Sequence, residues 1–209
     1  SGGDMAGSVS DAGSLLGYGS FDGFTLVGVH VGEWWRIVTG GFLHGGLSHL
    51  GMNMFVLWIV GKQLEPVLGK ARYLALYVTG LIAGAFGVLL ISPLSPTVGA
   101  SGAVFALFGA AFAYQRSRGI NPMTSGLGGL LVLNLLVSFF PGVSFGGHLG
   151  GFVGGLVAGW LIFELDKRLA NKWAGVAVCV GLTAAMFVGC IWAASQWADP
   201  VLGFLDFWG

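Results

Sequence analysis

The chain has 209 residues, 55% of them hydrophobic and only 9% charged, and its nine basic and nine acidic side chains leave no net charge. Soluble domains carry about 25% charged residues, so this composition excludes a water-soluble globular fold. It also gives no electrostatic argument for nucleic acid as a partner. The apolar runs are continuous rather than alternating, and several approach the ~20 residues that span a bilayer, so the fold class is an all-α polytopic membrane protein and not a β-barrel.

Residues 1–30 are rich in glycine and serine with scattered apolar positions. They begin Ser1-Gly2-Gly3-Asp4, with neither an initiator methionine nor a hydrophobic lead, as expected of a processed or truncated chain. Six spans follow, at 48–64, 72–91, 99–115, 127–140, 147–165 and 174–195. Turn and charge signals separate them: Gly69-Lys70 with Arg72, the run Ser92-Pro93-Leu94-Ser95-Pro96, Arg116 and Arg118 before Asn121-Pro122, Pro141-Gly142, and Asp166 to Lys172. The fourth span is short and is expected to be buried by protein, tilted or partly irregular. Cys179 and Cys190 share the last span, about 16 Å apart along a helix, too far for a disulfide, and read as packing residues. The organisation is an outer interfacial loop over 1–46, a membrane core over 47–168, and an additional helix with an outer tail over 169–209.

Lysine and arginine orient the spans. Lys62, Lys70, Arg72, Arg116, Arg118, Lys167, Arg168 and Lys172 fall in one set of alternate loops, and only Arg36 falls in the other. The basic loops are therefore cytoplasmic, and Trp192, Trp197 and Trp208 suit an interfacial belt at the outer C-terminal end. Spans one, three and five all enter from the outer face. His49 and Asn53 near the start of the first, Ser101 near the start of the third and His148 at the start of the fifth then share one leaflet. Polar residues within a membrane are functional candidates by default.

Their chemistry is complementary. A serine hydroxyl needs a base to become a nucleophile, and an imidazole titrates in the range to provide it. His49 and Asn53 are four apart and share a helix face; His44 is about 140° from His49 on a helical wheel, so it is expected at or before the helix start. A carboxylate third member is absent: Glu164 is roughly 24 Å along the helix from His148, Glu65 is at the cytoplasmic end of the first span and Glu33 is outside the spans. This points to a Ser101–His148 dyad, with the Asn53 amide, a His49 N–H and the Ser101 backbone N–H as oxyanion donors. Gly102, Gly151 and Gly155 have the small-residue spacing that lets helices approach closely. Each element also has a plainer reading. A lone serine bonds its own backbone, a lone histidine is structural or relays protons, and small-residue spacing alone means packing. A metal site on His44, His49 and His148 would lack an acidic ligand and use two faces.

Taken in order, Glu33-Trp34-Trp35-Arg36, the His44, His49 and Asn53 pattern, Gly99-Ala100-Ser101-Gly102, and His148 with Gly151 and Gly155 resemble the rhomboid family of intramembrane serine proteases over residues 33–168. The resemblance implies a rhomboid-like helical bundle, Ser101 as nucleophile, His148 as general base, and Asn53, His49 and the Ser101 backbone as oxyanion stabilisers. It makes His44 an accessory polar residue and has Trp35 and Arg36 anchor the first loop. It implies transmembrane protein substrates, cleaved near a helix end, and no cofactor. Phe105 stands where some members have a tyrosine, so stacking on His148 is expected without the hydroxyl. The family's first core helix should precede the loop and is absent here; the six spans then correspond to core helices two to six plus one C-terminal helix. Short loops favour a bacterial inner membrane with the site toward the outer face. The alternative function is a non-proteolytic, rhomboid-like membrane-protein binder or chaperone.

Overall fold

The computed structural model describes residues 5–169, 171 and 173–197. Among these, eight helices follow in order: α1 (Met5–Gly13), α2 (Arg36–Thr39), α3 (Leu47–Leu68), α4 (Lys70–Ile91), α5 (Ser101–Ser117), α6 (Leu127–Val137), α7 (Phe145–Arg168) and α8 (Trp173–Ser195). The helices α4, α7 and α8 are long and apolar enough to cross a membrane, which makes this a multi-pass membrane protein. Lys172, Trp208 and the tail from 198 lie outside the described residues.

Small residues set the architecture. The seam between α5 and α7 repeats every four residues: a methyl group on Gly151 would overlap the Gly102 carbonyl, one on Gly155 would overlap the Ala106 backbone, and one on Gly159 would sit 2.7 Å from the Ala110 Cα. A second stripe does the same between α4 and α7, where methyl groups on Gly87 and Gly154 would overlap the Gly146 carbonyl and the Ala83 side chain. Without a hydrophobic drive between helices in lipid, such close backbone packing supplies much of the association. Helix α8 joins the outside of α4 through Thr79, whose hydroxyl donates to the Ala75 carbonyl (2.8 Å) and lies 3.0 Å from the Thr183 hydroxyl. Cys179 and Cys190 are free and buried.

Of the forms expected of the short fourth span, α6 is partly irregular at its end rather than buried by protein. It ends at Val137 rather than 140, and it is not buried by protein: only Leu127, Gly128 and Leu131 are buried, while Leu133 is 61% and Leu136 55% exposed. The physical reason is its composition. It offers a ring of leucines and valines, and a methyl on Gly129 would meet nothing within 4 Å, so no small-residue stripe draws it against its neighbours.

The segment before α3 is more ordered than a loop of scattered apolars suggests. Leu15, Leu16, Tyr18, Val29 and Ile37 are buried. Leu15 and Thr97 exchange backbone hydrogen bonds of 2.9 and 2.8 Å, and Gly17 N–H donates to the Pro93 carbonyl, so this segment is tied to the connection between α4 and α5. Arg36 is 1% exposed; it donates to Glu33 at 2.6 Å and to the carbonyls of Asp11 and Ser14 at 2.7 and 3.0 Å. The guanidinium thus satisfies loop carbonyls in the interior, a role suited to its fixed fork of donors.

Candidate active site

Ser101 is the first residue of α5, and its neighbour Gly102 is the first member of the α5–α7 seam. On α7, Ser144 caps the helix by accepting from the Gly147 N–H at 3.1 Å, which puts His148 in the first turn, three residues before Gly151. Because Gly151 rests on the Gly102 carbonyl, the packing that closes the seam also brings Ser101 and His148 to the same end of it. Both line one cavity of about 130 Å³, with His49 and Gly99 on one side and Leu15 and Ile37 from the N-terminal segment over it.

His148 is 5% exposed. Its ring stacks on Phe105, with centroids 4.2 Å apart and planes 16° apart, an arrangement that needs the phenyl face and not a hydroxyl. Its Nδ1 is 2.5 Å from the Ser138 hydroxyl at the carboxyl end of α6. Ser101 is half-buried, and a Ser101–His148 hydrogen bond is not among those formed between the described residues. Such bonds are often long in unliganded sites and tighten when substrate binds.

Gly99 carries the approach from α3. Its φ of +130° is one that side-chain-bearing residues rarely adopt, and its N–H donates to the Gly40 carbonyl at 2.9 Å. A methyl group there would be 2.8 Å from His49 Nε2 and 3.9 Å from the Asn53 amide nitrogen, so both side chains lie against the backbone two residues before Ser101. His49 Nδ1 accepts from the Gly45 N–H at 3.3 Å, and the Asn53 amide donates to the His49 carbonyl at 3.1 Å. Asn53 is buried behind Gly99 rather than in the cavity wall.

His44 stands edge-on to His49 at 5.2 Å, outside the cavity wall, with Nε2 buried and unpartnered among the described residues. His44, His49 and His148 do not converge as a metal-binding group. Trp35 and Arg36 are also outside the cavity; Trp35 donates from its indole to the Ala12 carbonyl at 3.1 Å, and both hold the N-terminal segment. Among the described residues no aspartate, glutamate, lysine or arginine lines the cavity, so charge that develops there meets dipoles rather than counter-ions from these residues. Sequence reasoning missed Ser138, Leu15 and Ile37. A serine near a helix end carries no signal of its own; Leu15 is brought in by backbone pairing with Thr97, and Ile37 sits on α2, just before the Gly40 carbonyl that accepts from the Gly99 N–H.

The Rhomboid domain model matches residues 31–165. Over 88 residues the chain is 46% identical to the putative rhomboid protease YdcA of Bacillus subtilis, covering 42% of this chain and 44% of that protein. It is 43% identical over 79 residues to the rhomboid protease GluP of the same organism, covering 38% of this chain and 15% of GluP. The match to mouse rhomboid-related protein 2 is longer, 31% identical over 169 residues, with 71% of this chain and 56% of the relative. The chain therefore spans less than two thirds of the length of these relatives.

Proposed function

This chain belongs to the rhomboid family, and from that premise we propose that it is an intramembrane serine endopeptidase that cleaves transmembrane proteins near the outer membrane face. The observation that carries the reading is one cavity lined by Ser101 and His148, with Phe105 stacked on the imidazole and, among the described residues, no carboxylate in the wall. A Ser–His dyad accounts for that inventory. His148 Nε2 takes the Ser101 proton as Oγ attacks the scissile carbonyl carbon. The carbonyl oxygen becomes an oxyanion, met by the Ser101 backbone N–H in the first turn of α5, by His49 and by the Asn53 amide. Collapse breaks the C–N bond, and His148 returns the proton to the departing amine. Water then attacks the acyl–Ser101 ester with His148 again as base, releasing the carboxylic acid and restoring the hydroxyl. A cavity of about 130 Å³ with Ser101, His49, His148 and Ser144 in its wall has room and partners for several waters.

In this reading α3, α5 and α6 also cross the membrane, giving six spans, with the core over 47–168. The alternate basic loops are cytoplasmic, the site is in the outer leaflet, and a bacterial inner membrane suits the short loops. The sparsely buried α6 and the 138–144 connection are the elements that can move to admit a substrate helix. No cofactor takes part in the steps. A non-proteolytic binder would bind a transmembrane partner without cutting it. The test is cleavage of a transmembrane protein co-reconstituted in proteoliposomes: the native chain cuts and Ser101→Ala, equally folded, does not. Equal cleavage by both overturns the proposal.

A further inference from the structure

We propose that Ser138 is a positioning residue for His148: its hydroxyl oxygen accepts the Nδ1 hydrogen and so fixes the tautomer whose Nε2 lone pair faces Ser101. The assignment rests on the reading of Ser101 and His148 as nucleophile and base. The problem it solves is general. A neutral imidazole carries one hydrogen on either of two nitrogens, and a base must present its bare nitrogen to the nucleophile. Where a carboxylate is present it holds Nδ1–H and settles the matter. Here no carboxylate lines the cavity among the described residues.

The stack on Phe105 solves half of the problem. It fixes the plane of the His148 ring, at 16° to the phenyl plane. A half-turn about the Cβ–Cγ bond preserves that plane and exchanges the nitrogens with ring carbons. Only a polar partner on one edge distinguishes the two settings, and Ser138 Oγ, 2.5 Å from Nδ1, is that partner. Both residues are buried, at 4% and 5% exposure, so water does not compete for the bond, and in such surroundings a hydrogen bond is stronger than in water. When Nε2 takes the Ser101 proton, the ring becomes imidazolium and the Nδ1–H bond becomes charge-assisted, which strengthens it as the transition state is approached. A hydroxyl gives less than a carboxylate, and it leaves no buried charge to balance.

The location of Ser138 adds a second consequence. It follows the last residue of α6, with its N–H donating to the Leu135 carbonyl at 2.9 Å. The base is therefore oriented only while the carboxyl end of α6 stays against the amino end of α7. Displacing α6 releases the imidazole.

The experiment uses the full chain in detergent and the rate at which a fluorophosphonate modifies Ser101. Ser138→Ala is expected to react about 10-fold more slowly, equivalent to 1.36 kcal/mol, while remaining folded with a lowered melting temperature, since the buried Nδ1–H is left unpaired. Ser138→Thr restores the rate to within about 2-fold, while Ser138→Val, the same shape without the hydroxyl, stays slow. Wild-type rates in both the Ala and Val variants, or equal slowing in Thr and Val, overturn the assignment. Nitrogen-15 spectra of wild-type His148, identified by difference with His148→Gln, give a readout that needs no Ser138 variant. A protonated Nδ1 and a bare Nε2 support the assignment, and the reverse tautomer overturns it. If Ser101 is not modified in the wild type, the reading of the nucleophile itself has failed and the assignment falls with it. Modification at an unaltered rate in the Ser138 variants defeats the positioning role alone.

Discussion

The α5–α7 seam and the short helix α6 meet at the same imidazole but hold it by different means. The seam is backbone on backbone, with Gly151 on the Gly102 carbonyl and Gly155 on Ala106, and it allows no adjustment by rotamer changes. Helix α6 meets the bundle through Leu127, Gly128 and Leu131 near its start and leaves Leu133 and Leu136 outside. Its carboxyl end reaches the site through one side chain, Ser138. A site in which one partner is fixed by packing and another by a single hydrogen bond combines rigid positioning of Ser101 and His148, the proposed nucleophile and base, with a less firmly packed element. Rigid scaffolds place reacting atoms, and weakly buried elements supply the low-stability motions.

The largest expected effect comes from breaking the seam. Gly151→Val puts a branched side chain into the Gly102 carbonyl and should destabilise the fold by about 3 kcal/mol, the upper range for overpacking, read as a lowered melting temperature with loss of Ser101 reactivity. Next is Asn53→Ala, which removes a proposed oxyanion donor beside Gly99; kcat should fall about 10²–10³-fold in a cleavage assay with the melting temperature nearly unchanged. Phe105→Leu removes the stack on His148 and should cost about 0.5–1.5 kcal/mol of rate or stability, measured as slower modification of Ser101. The smallest effect sharpens the contrast from the other side. Leu133→Ala on the outward face of α6 should shift stability by less than about 0.5 kcal/mol, and a shift as large as that of Gly151→Val would mean that α6 is packed as tightly as the seam.

The long helices were legible in the sequence because apolar length and flanking charge are local signals: Gly69 and Pro93 end α3 and α4 close to where the turn residues place them. The grouping of Ser101, His49 and His148 was legible for a related reason. Alternating spans return to one leaflet, and Gly102 and Gly151 mark where two of them touch. Other features lie in tertiary contacts that leave no local pattern. Ser138 is ten residues before His148 in a run that looks like any span end. That Arg36 ties the first loop through the carbonyls of Asp11 and Ser14 is likewise a tertiary contact that no local pattern specifies. Of the forms that shortness allowed for the fourth span, burial by protein, tilt or irregularity, sequence alone could not choose; α6 ends at Val137 with turns after it and keeps Leu133 and Leu136 outside.

The central claim is that Ser101 is a nucleophile activated by His148. Its most direct measurement is mass-spectrometric mapping of a fluorophosphonate adduct on the reconstituted chain, in wild type and in His148→Ala. The account predicts a single adduct on Ser101 that falls by about 10²–10⁴-fold, the usual contribution of a general base, when the imidazole is removed. An adduct on another residue, or one on Ser101 that forms equally fast without His148, would contradict it.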